Sequence, residues 1–407
     1  MAGLAVTDKT PGLLAQITAQ KGSTPPPRVL TPRIKVKSDR FGVIVRARTL
    51  PQVGLEEYQK AARFLADAWR CTRVSVLPDG PGKVVIRGVR SDPLTTPTEH
   101  RPTGRPPTDL TRWELGVDEY VAPVCVSLAN VPGVTVADVP GAGKTSGINK
   151  FVCDFAPSAA VQIATADGKV SRASEGDYAD LVKRMFTFCG DDLDEANALF
   201  KRLVELRRQR SSVIRDVLGV KNMWHVGPSP QWPLTVLIID EAHTFFREYK
   251  GSDAETRRLA ALTAENTRLV EDLVKKGRSV GILVILISQK TTGDAIPTFI
   301  RDVCPIGLSA QKTVEAAVAA LGDDIRNWPD ASPVTLQDPA YVGVAVMAMQ
   351  GRPGYTRIRT PYVSDADAAR IAEDTSHLTA DPAFLLDALL DTAGRTAPDD
   401  TPVPLTK

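Results

Sequence analysis

The sequence predicts an α/β protein: a parallel sheet covered by helices on both faces, preceded by a small α/β module. Three observations carry this reading. Short, almost wholly apolar runs recur at 124–128, 134–137, 161–166, 234–239, 283–288 and 342–348, as expected of parallel strands buried on both sides. Between them, residues 192–217 and 253–276 are long, charged and amphipathic, which makes them covering helices. A glycine-rich stretch, Pro140-Gly141-Ala142-Gly143-Lys144-Thr145, joins a strand to a helical stretch at 146–155.

The elements follow in chain order. Residues 1–33 carry Pro25, Pro26, Pro27 and Pro32 and read as a flexible basic lead-in. Residues 34–92 form the small α/β domain. Runs at 41–48, 73–77 and 83–89 are strand-like, and Leu55, Tyr58, Ala62, Leu65 and Trp69 share one helical face. Residues 93–112 hold Pro93, Pro97, Pro102, Pro106 and Pro107 and read as a linker. Residues 113–375 form the large domain. Residues 376–407 offer one short helical stretch, at 382–390, and a tail rich in Asp, Thr and Pro that reads as disordered.

Composition bounds the function. The chain has 407 residues, of which 43% are hydrophobic and 24% charged, a globular balance that excludes a wholly disordered or fibrous protein. No apolar run approaches the ~18 residues a membrane helix needs, and the start of the chain lacks the pattern of a signal peptide. The expectation is a cytoplasmic protein without a transmembrane segment. Cys71, Cys125, Cys153, Cys189 and Cys304 are scattered and odd in number, which argues against a disulfide framework or a zinc site.

The chemistry concentrates at strand ends. In the glycine-rich loop, backbone N–H groups can turn inward around phosphate oxygens, and the following helix start, with Ser146, adds partial positive charge. Lys144 would reach the β- and γ-phosphates of ATP, and the Thr145 hydroxyl would ligate Mg²⁺. The first motif position is Asp138 rather than glycine, and its carboxylate is expected to point away from the phosphates. About 95 residues further on, the apolar run 234–239 ends in Asp240 and Glu241. Asp240 would hold Mg²⁺ through water, and Glu241 would polarise the attacking water. A third apolar run ends in Ser288 and Gln289, polar groups placed to sense the γ-phosphate or the lytic water. Together these residues predict ATP hydrolysis.

These residues, in this order, resemble the FtsK/SpoIIIE family of DNA-translocating ATPases, and most of all its Tra-type transfer proteins. Ala166-Asp167-Gly168-Lys169 resembles the family's Asp-x-Lys segment, and Glu205-Leu206-Arg207-Arg208 its Glu/Arg-rich helix. Gly277-Arg278-Ser279-Val280-Gly281-Ile282 with Ser288-Gln289-Lys290 resembles its Gly-Arg and Ser/Thr-Gln signature, and Val363-Ser364-Asp365 its closing segment. The resemblance runs from about residue 35 to 373. It implies a RecA-like P-loop ATPase core, acting as a homo-hexameric ring around double-stranded DNA in transfer of a plasmid, integrative element or phage, or in chromosome segregation. It also implies an arginine finger, for which Arg301 is the first candidate and Arg278 the second. The residues left after 373 are too few for the family's winged-helix DNA reader. Working at a membrane would require a membrane partner protein.

Basic residues add to this. The first 50 positions hold nine cations (Lys9, Lys21, Arg28, Arg33, Lys35, Lys37, Arg40, Arg46 and Arg48) against Asp8 and Asp39. Such an arm can touch phosphates or simply be solvated. Lys201, Arg202, Arg207, Arg208, Arg210 and Arg215 crowd one helix, where a solvated face is the default and phosphate contact the alternative. Lys290 and Lys312 are similar candidates. His243 follows the Asp-Glu pair and reads as local packing; His100, His225 and His377 do not converge. The competing reading of the whole chain is a nucleotide-binding regulator or coupling adaptor with weak or no turnover.

Overall fold

The computed structural model describes residues 3–8, 27–138, 144–289, 297, 304, 306–349, 351 and 353–396. Strands β1 (Val6–Asp8) and β2 (Arg28–Leu30) form an antiparallel pair. The small domain follows as β3 (Ile34–Asp39), β4 (Gly42–Arg48), helix α1 (Leu55–Trp69), β5 (Arg73–Pro78) and β6 (Lys83–Val89). Its four strands lie in the order β3-β4-β6-β5, all antiparallel. Helix α1 buries Tyr58, Ala61, Ala62 and Leu65 against Val45, Ala47, Val74, Val76 and Ile86. The period of 3.6 on the helix thus meets the period of 2 on the sheet. Strand β3 has no counterpart among the sequence-based strands. All six of its residues are exposed, and its signal is only the short alternation of Ile34 and Val36 with Lys35 and Lys37.

Among the described residues the large domain is built on one ten-stranded sheet. In chain order come β7 (Arg112–Val117), β8 (Pro123–Ser127), β9 (Gly133–Asp138), α2 (Lys144–Phe155), β10 (Val161–Asp167), β11 (Met185–Cys189) and α3 (Leu193–Leu218). Then follow β12 (Leu234–Asp240), the short α4 (His243–Phe246), α5 (Ala254–Lys276), β13 (Ile282–Ser288) and β14 (Ile306–Ala310). The chain continues with α6 (Val314–Leu321), β15 (Val344–Ala348), β16 (Tyr355–Arg359), α7 (Asp365–Thr375) and α8 (Pro382–Thr396). The spatial order is β11-β10-β12-β13-β9-β14-β15-β16-β7-β8.

Strands β11 to β14 run parallel. The expectation of parallel strands at 124–128 and 342–348 is corrected: β8 and β15 are antiparallel to their neighbours. Short turns join β7 to β8 and β15 to β16, and a parallel pair needs a crossover of a dozen or more residues.

The parallel strands alternate between two cores. Leu234, Val236 and Ile238 of β12, with Leu283, Ile285 and Ile287 of β13, enter the core under α2 and α7. Leu237 and Ile239, with Ile282, Val284 and Leu286, enter the core under α3 and α5. Burial on both faces holds these strand ends in place, and the candidate site is built on them.

Charged groups weld the small domain to the sheet. Glu119, in the β7–β8 turn, accepts from Arg73 and from the Ser75 hydroxyl at 3.1 Å. Arg87 is fully buried, donates to Asp39 at 2.7 Å and lies 4.9 Å over the Tyr120 ring. Asp92 accepts from Tyr341 at 3.0 Å and from Arg357 at 3.3 Å. The stretch after it follows the large domain: Leu94 is fully buried, and the His100 N–H donates to the Tyr362 carbonyl at 2.7 Å. At the other end of the chain, α8 packs Leu386 into the second core. Gln162 donates to the Leu378 carbonyl at 2.9 Å and accepts from the Ala380 N–H at 3.0 Å.

Candidate nucleotide site

The site lies at the carboxyl ends of β10, β12, β13 and β9. Strand β13 stands between β9, which leads into the glycine-rich loop, and β12, which carries the carboxylates. Register fixes the neighbours. Asp167 of β10 lies beside Asp240 of β12, and Ser288 of β13 lies beside Ala137 of β9. The carboxyl edge of a parallel sheet, where the strand order reverses, opens the crevice in which such folds take ligands.

Asp240 ends β12 and is buried. Its Oδ2 accepts from the Tyr178 hydroxyl at 2.9 Å and its Oδ1 from the Glu241 N–H at 2.8 Å. Tyr178 is completely buried, and burial first, then the Asp240 charge, pushes its hydroxyl well above the usual tyrosine range. It therefore stays a donor, which a buried carboxylate requires.

Glu241 is buried too and adopts a left-handed backbone, φ 47°. That conformation costs a non-glycine residue about 1 kcal/mol. Two anchors hold it: the Ala242 N–H donates to the Ile287 carbonyl at 2.9 Å, and the Thr244 N–H to the Glu241 carbonyl at 2.9 Å. Gly168 leaves room for this turn, since a Cβ there would sit 2.6 Å from Thr244 Cβ. The Glu241 carboxylate accepts from Gln289 Nε2, while His243 Nδ1 lies 3.3 Å from its other oxygen. Two strand ends, β12 and β13, thus meet through one carboxylate.

Of the residues singled out from sequence, Asp240, Glu241 and Gln289 come together, with Ser288 buried beside them. Ser146 is half-buried in the first turns of α2. Lys144 and Thr145 open that helix. Their side chains and that of Asp138 lie outside the described residues, as do Pro140, Gly141, Ala142, Gly143, Lys290 and Arg301. Arg278 lies at the amino end of β13, roughly 20 Å of strand from Ser288. There the Trp224 indole donates to its carbonyl at 2.7 Å. Gly281 beside it holds φ 82°, and a Cβ would collide with Met223, which gives that glycine a backbone reason.

Two partners were missed from sequence. Tyr178 arrives from the β10–β11 connection, where nothing local marks it. His243 joins Glu241 instead of packing away, and its position two residues past Glu241 was the available signal.

The basic helix α3 is largely spent on structure. Lys201 pairs with Glu265 at 2.9 Å, Arg202 with Asp381, Arg207 with Asp272 at 2.7 Å, and Arg208 with Glu205 at 3.7 Å. Arg210 is buried, donates to the Val280 carbonyl at 3.1 Å and is lowered to about 9 by that burial. Only Arg215 of this run has no such partner among the described residues, so the helix offers no row of free cations.

No family model matches the chain. The DNA translocase FtsK of Haemophilus ducreyi is 26% identical over 292 residues, 64% of this chain. The chain spans 28% of that relative's length. The conjugation coupling protein TcpA of pCW3, in its monomer form with ATPγS, superposes with a TM-score of 0.56 over 84% of this chain and 93% of its own, at 16% identity. Over the 292 matched residues its sequence is similar to that of an FtsK translocase.

The architecture of the chain, a large mixed sheet with a small N-terminal α/β domain, is shared with TcpA. At 16% identity the likeness to TcpA is one of fold. A further match is the cytoplasmic domain of the type VII secretion ATPase EccC of Thermomonospora curvata, at TM-score 0.48 and 17% identity, over 68% of this chain and 32% of that one. Among the described residues no helix is long and apolar enough to cross a membrane.

Proposed function

We propose that this chain is an ATP-driven translocase of double-stranded DNA, serving DNA transfer of a plasmid, integrative element or phage. The observation that carries the ATPase part is the joining of Asp240, Glu241 and Gln289 at the ends of β12 and β13, with β13 lying directly beside β9, from which the glycine-rich loop departs. The 26% identity to a DNA translocase supports the choice of DNA as the substrate moved.

ATP would lie over the loop 140–145, with Lys144 on its terminal phosphates and Thr145 and Asp240 toward Mg²⁺. The residues present fit that ion. Asp240 accepts from the Tyr178 hydroxyl and from the Glu241 N–H, and an ionised carboxylate, an acceptor with about four lone-pair sites, suits a metal-bound water as donor. Among the described residues no group of three or more His, Cys, Asp or Glu side chains could hold a metal alone. Mg²⁺ suits such a site, because it keeps several waters and takes substrate phosphates as ligands. The ion supplies charge neutralisation on the phosphates when bound.

The chain's own residues do the rest. Glu241 accepts the proton of the attacking water; Gln289, donating to it, fixes its carboxylate and reports through β13 when the γ-phosphate leaves. A homo-hexameric ring around the duplex, an arginine finger from Arg301 or Arg278, and a membrane partner protein complete the proposal.

Steady-state ATP hydrolysis with and without linear duplex DNA tests it, with Glu241→Gln as the control. Duplex-stimulated turnover that is lost in Glu241→Gln is the expected result. Nucleotide binding without turnover in either condition would overturn the motor and leave a nucleotide-binding regulator.

A further inference from the structure

The geometry points to a second DNA contact, away from the nucleotide site: the helix-free face of the small sheet is a docking surface for the phosphate backbone of duplex DNA. The inference rests on the translocase reading above and deepens it.

Strand register assigns the faces. Ile34 and Val36 lie opposite Ala47 and Val45, residues that pack under α1, so they belong to the helix side. Lys35 and Lys37 therefore point to the other face, joined by Arg46 and Arg48 of β4 and Lys83 of β6. All five are exposed. The inner part of this face, with Arg73, Ser75 and Arg87, is covered by Glu119 and the β7–β8 turn. The outer part is open.

Its charge arrangement costs the fold something. Lys35 lies directly across from Arg46, and Arg48 directly across from Lys83. Directly opposed side chains in antiparallel strands have Cβ atoms about 5 Å apart, and like charges there are destabilising. Asp79 relieves only Arg46, at 3.2 Å. Among the described residues, Lys35, Lys37, Arg48 and Lys83 have no acidic partner. A polyanion removes the penalty, because each phosphate neutralises one cation and releases counterions.

Spacing and surface chemistry favour DNA over a membrane. Lys35 and Lys37 are two residues apart on one face, about 6.8 Å, which is twice the axial rise of one DNA strand. An interfacial membrane surface needs large apolar side chains among its cations. Here the large exposed apolar side chains, Ile34 and Val36, lie on the opposite face, while Ile44 and Val85, which share the basic face, are partly buried.

The test uses the full chain and a fluorescent duplex of about 30 bp, followed by anisotropy across a salt series. The variant Lys35→Gln, Lys37→Gln, Arg48→Gln, Lys83→Gln is expected to bind roughly tenfold or more weakly at low salt. Its slope of log K against log salt should be shallower by about 3 to 4. The charge-keeping set Lys35→Arg, Lys37→Arg, Arg48→Lys, Lys83→Arg is expected to retain the slope. Thermal melting checks folding. Should the fourfold variant not fold, the edge-strand pair Lys35→Gln, Lys37→Gln is read instead, with a slope change of about 2.

An unchanged slope in folded variants overturns this inference and leaves the translocase reading standing. Failure of the unaltered chain to bind duplex at any salt overturns both. Sedimentation with phosphatidylserine vesicles that the fourfold variant loses, while its duplex slope stays unchanged, overturns it in favour of a lipid surface.

Discussion

At the scale of single residues, Glu241 bears two burdens: a carboxylate facing the site and a backbone in the left-handed region. These separate experimentally. Glu241→Gln should lower ATP turnover at least a hundredfold, the loss typical of removing a general base, while equilibrium nucleotide binding is retained. Glu241→Gly should lose turnover equally, yet melt no lower than the parent, because glycine accepts φ 47° without cost. Tyr178→Phe tests the support beneath Asp240. Removing a hydrogen bond to a buried charged group should destabilise the fold by about 1.5–3 kcal/mol, read by urea denaturation. Asp240, Glu241 and Gln289 were legible because each ends a run of apolar strand residues. Tyr178 was not, since only the return of a long connection over β12 brings it there, and the Glu241–His243 contact depends on the left-handed turn between them.

At the scale of elements, the buried parallel strands could be read from the chain, but their neighbours could not. Strand β16 carries Arg357 and Arg359, both 3% exposed. Two arginines in five residues read as surface, yet here Asp92 accepts from Arg357, and the carbonyls of Leu94, Ala340 and Val342 accept from Arg359. Strand direction was misread for a different reason: β8 and β15 are short apolar runs like the parallel strands although β8 is only partly buried, and an apolar run by itself does not report direction. The junction between the two sheets makes its own prediction. Glu119→Ala leaves Arg73 without its buried partner and should cost about 3 kcal/mol. Limited proteolysis should then cut within 93–112 faster than in the parent. Leu386→Ala, in the docked α8, should cost about 2–4 kcal/mol, with loss of the helix measured by hydrogen exchange over 382–396.

At the scale of the whole molecule, the position of Arg278 decides how it can act. The length of β13 separates it from Glu241 of its own chain, so in the proposed ring a catalytic contribution would have to reach a neighbouring subunit's site. Mixing Arg278→Ala with Glu241→Gln chains, each inactive alone, should then restore part of the duplex-stimulated turnover, because some interfaces in a mixed ring combine both intact residues. No restoration, with activity retained in Arg278→Ala alone, would hand that role to Arg301.

The opposed cations of the small sheet also bear on stability without any ligand. Cross-strand repulsion between Lys35 and Arg46, and between Arg48 and Lys83, weakens as ions crowd around it. Moderate salt should therefore raise the melting temperature of the chain, in the same concentration range where it loosens a bound polyanion. The protein would be least stable alone in dilute buffer.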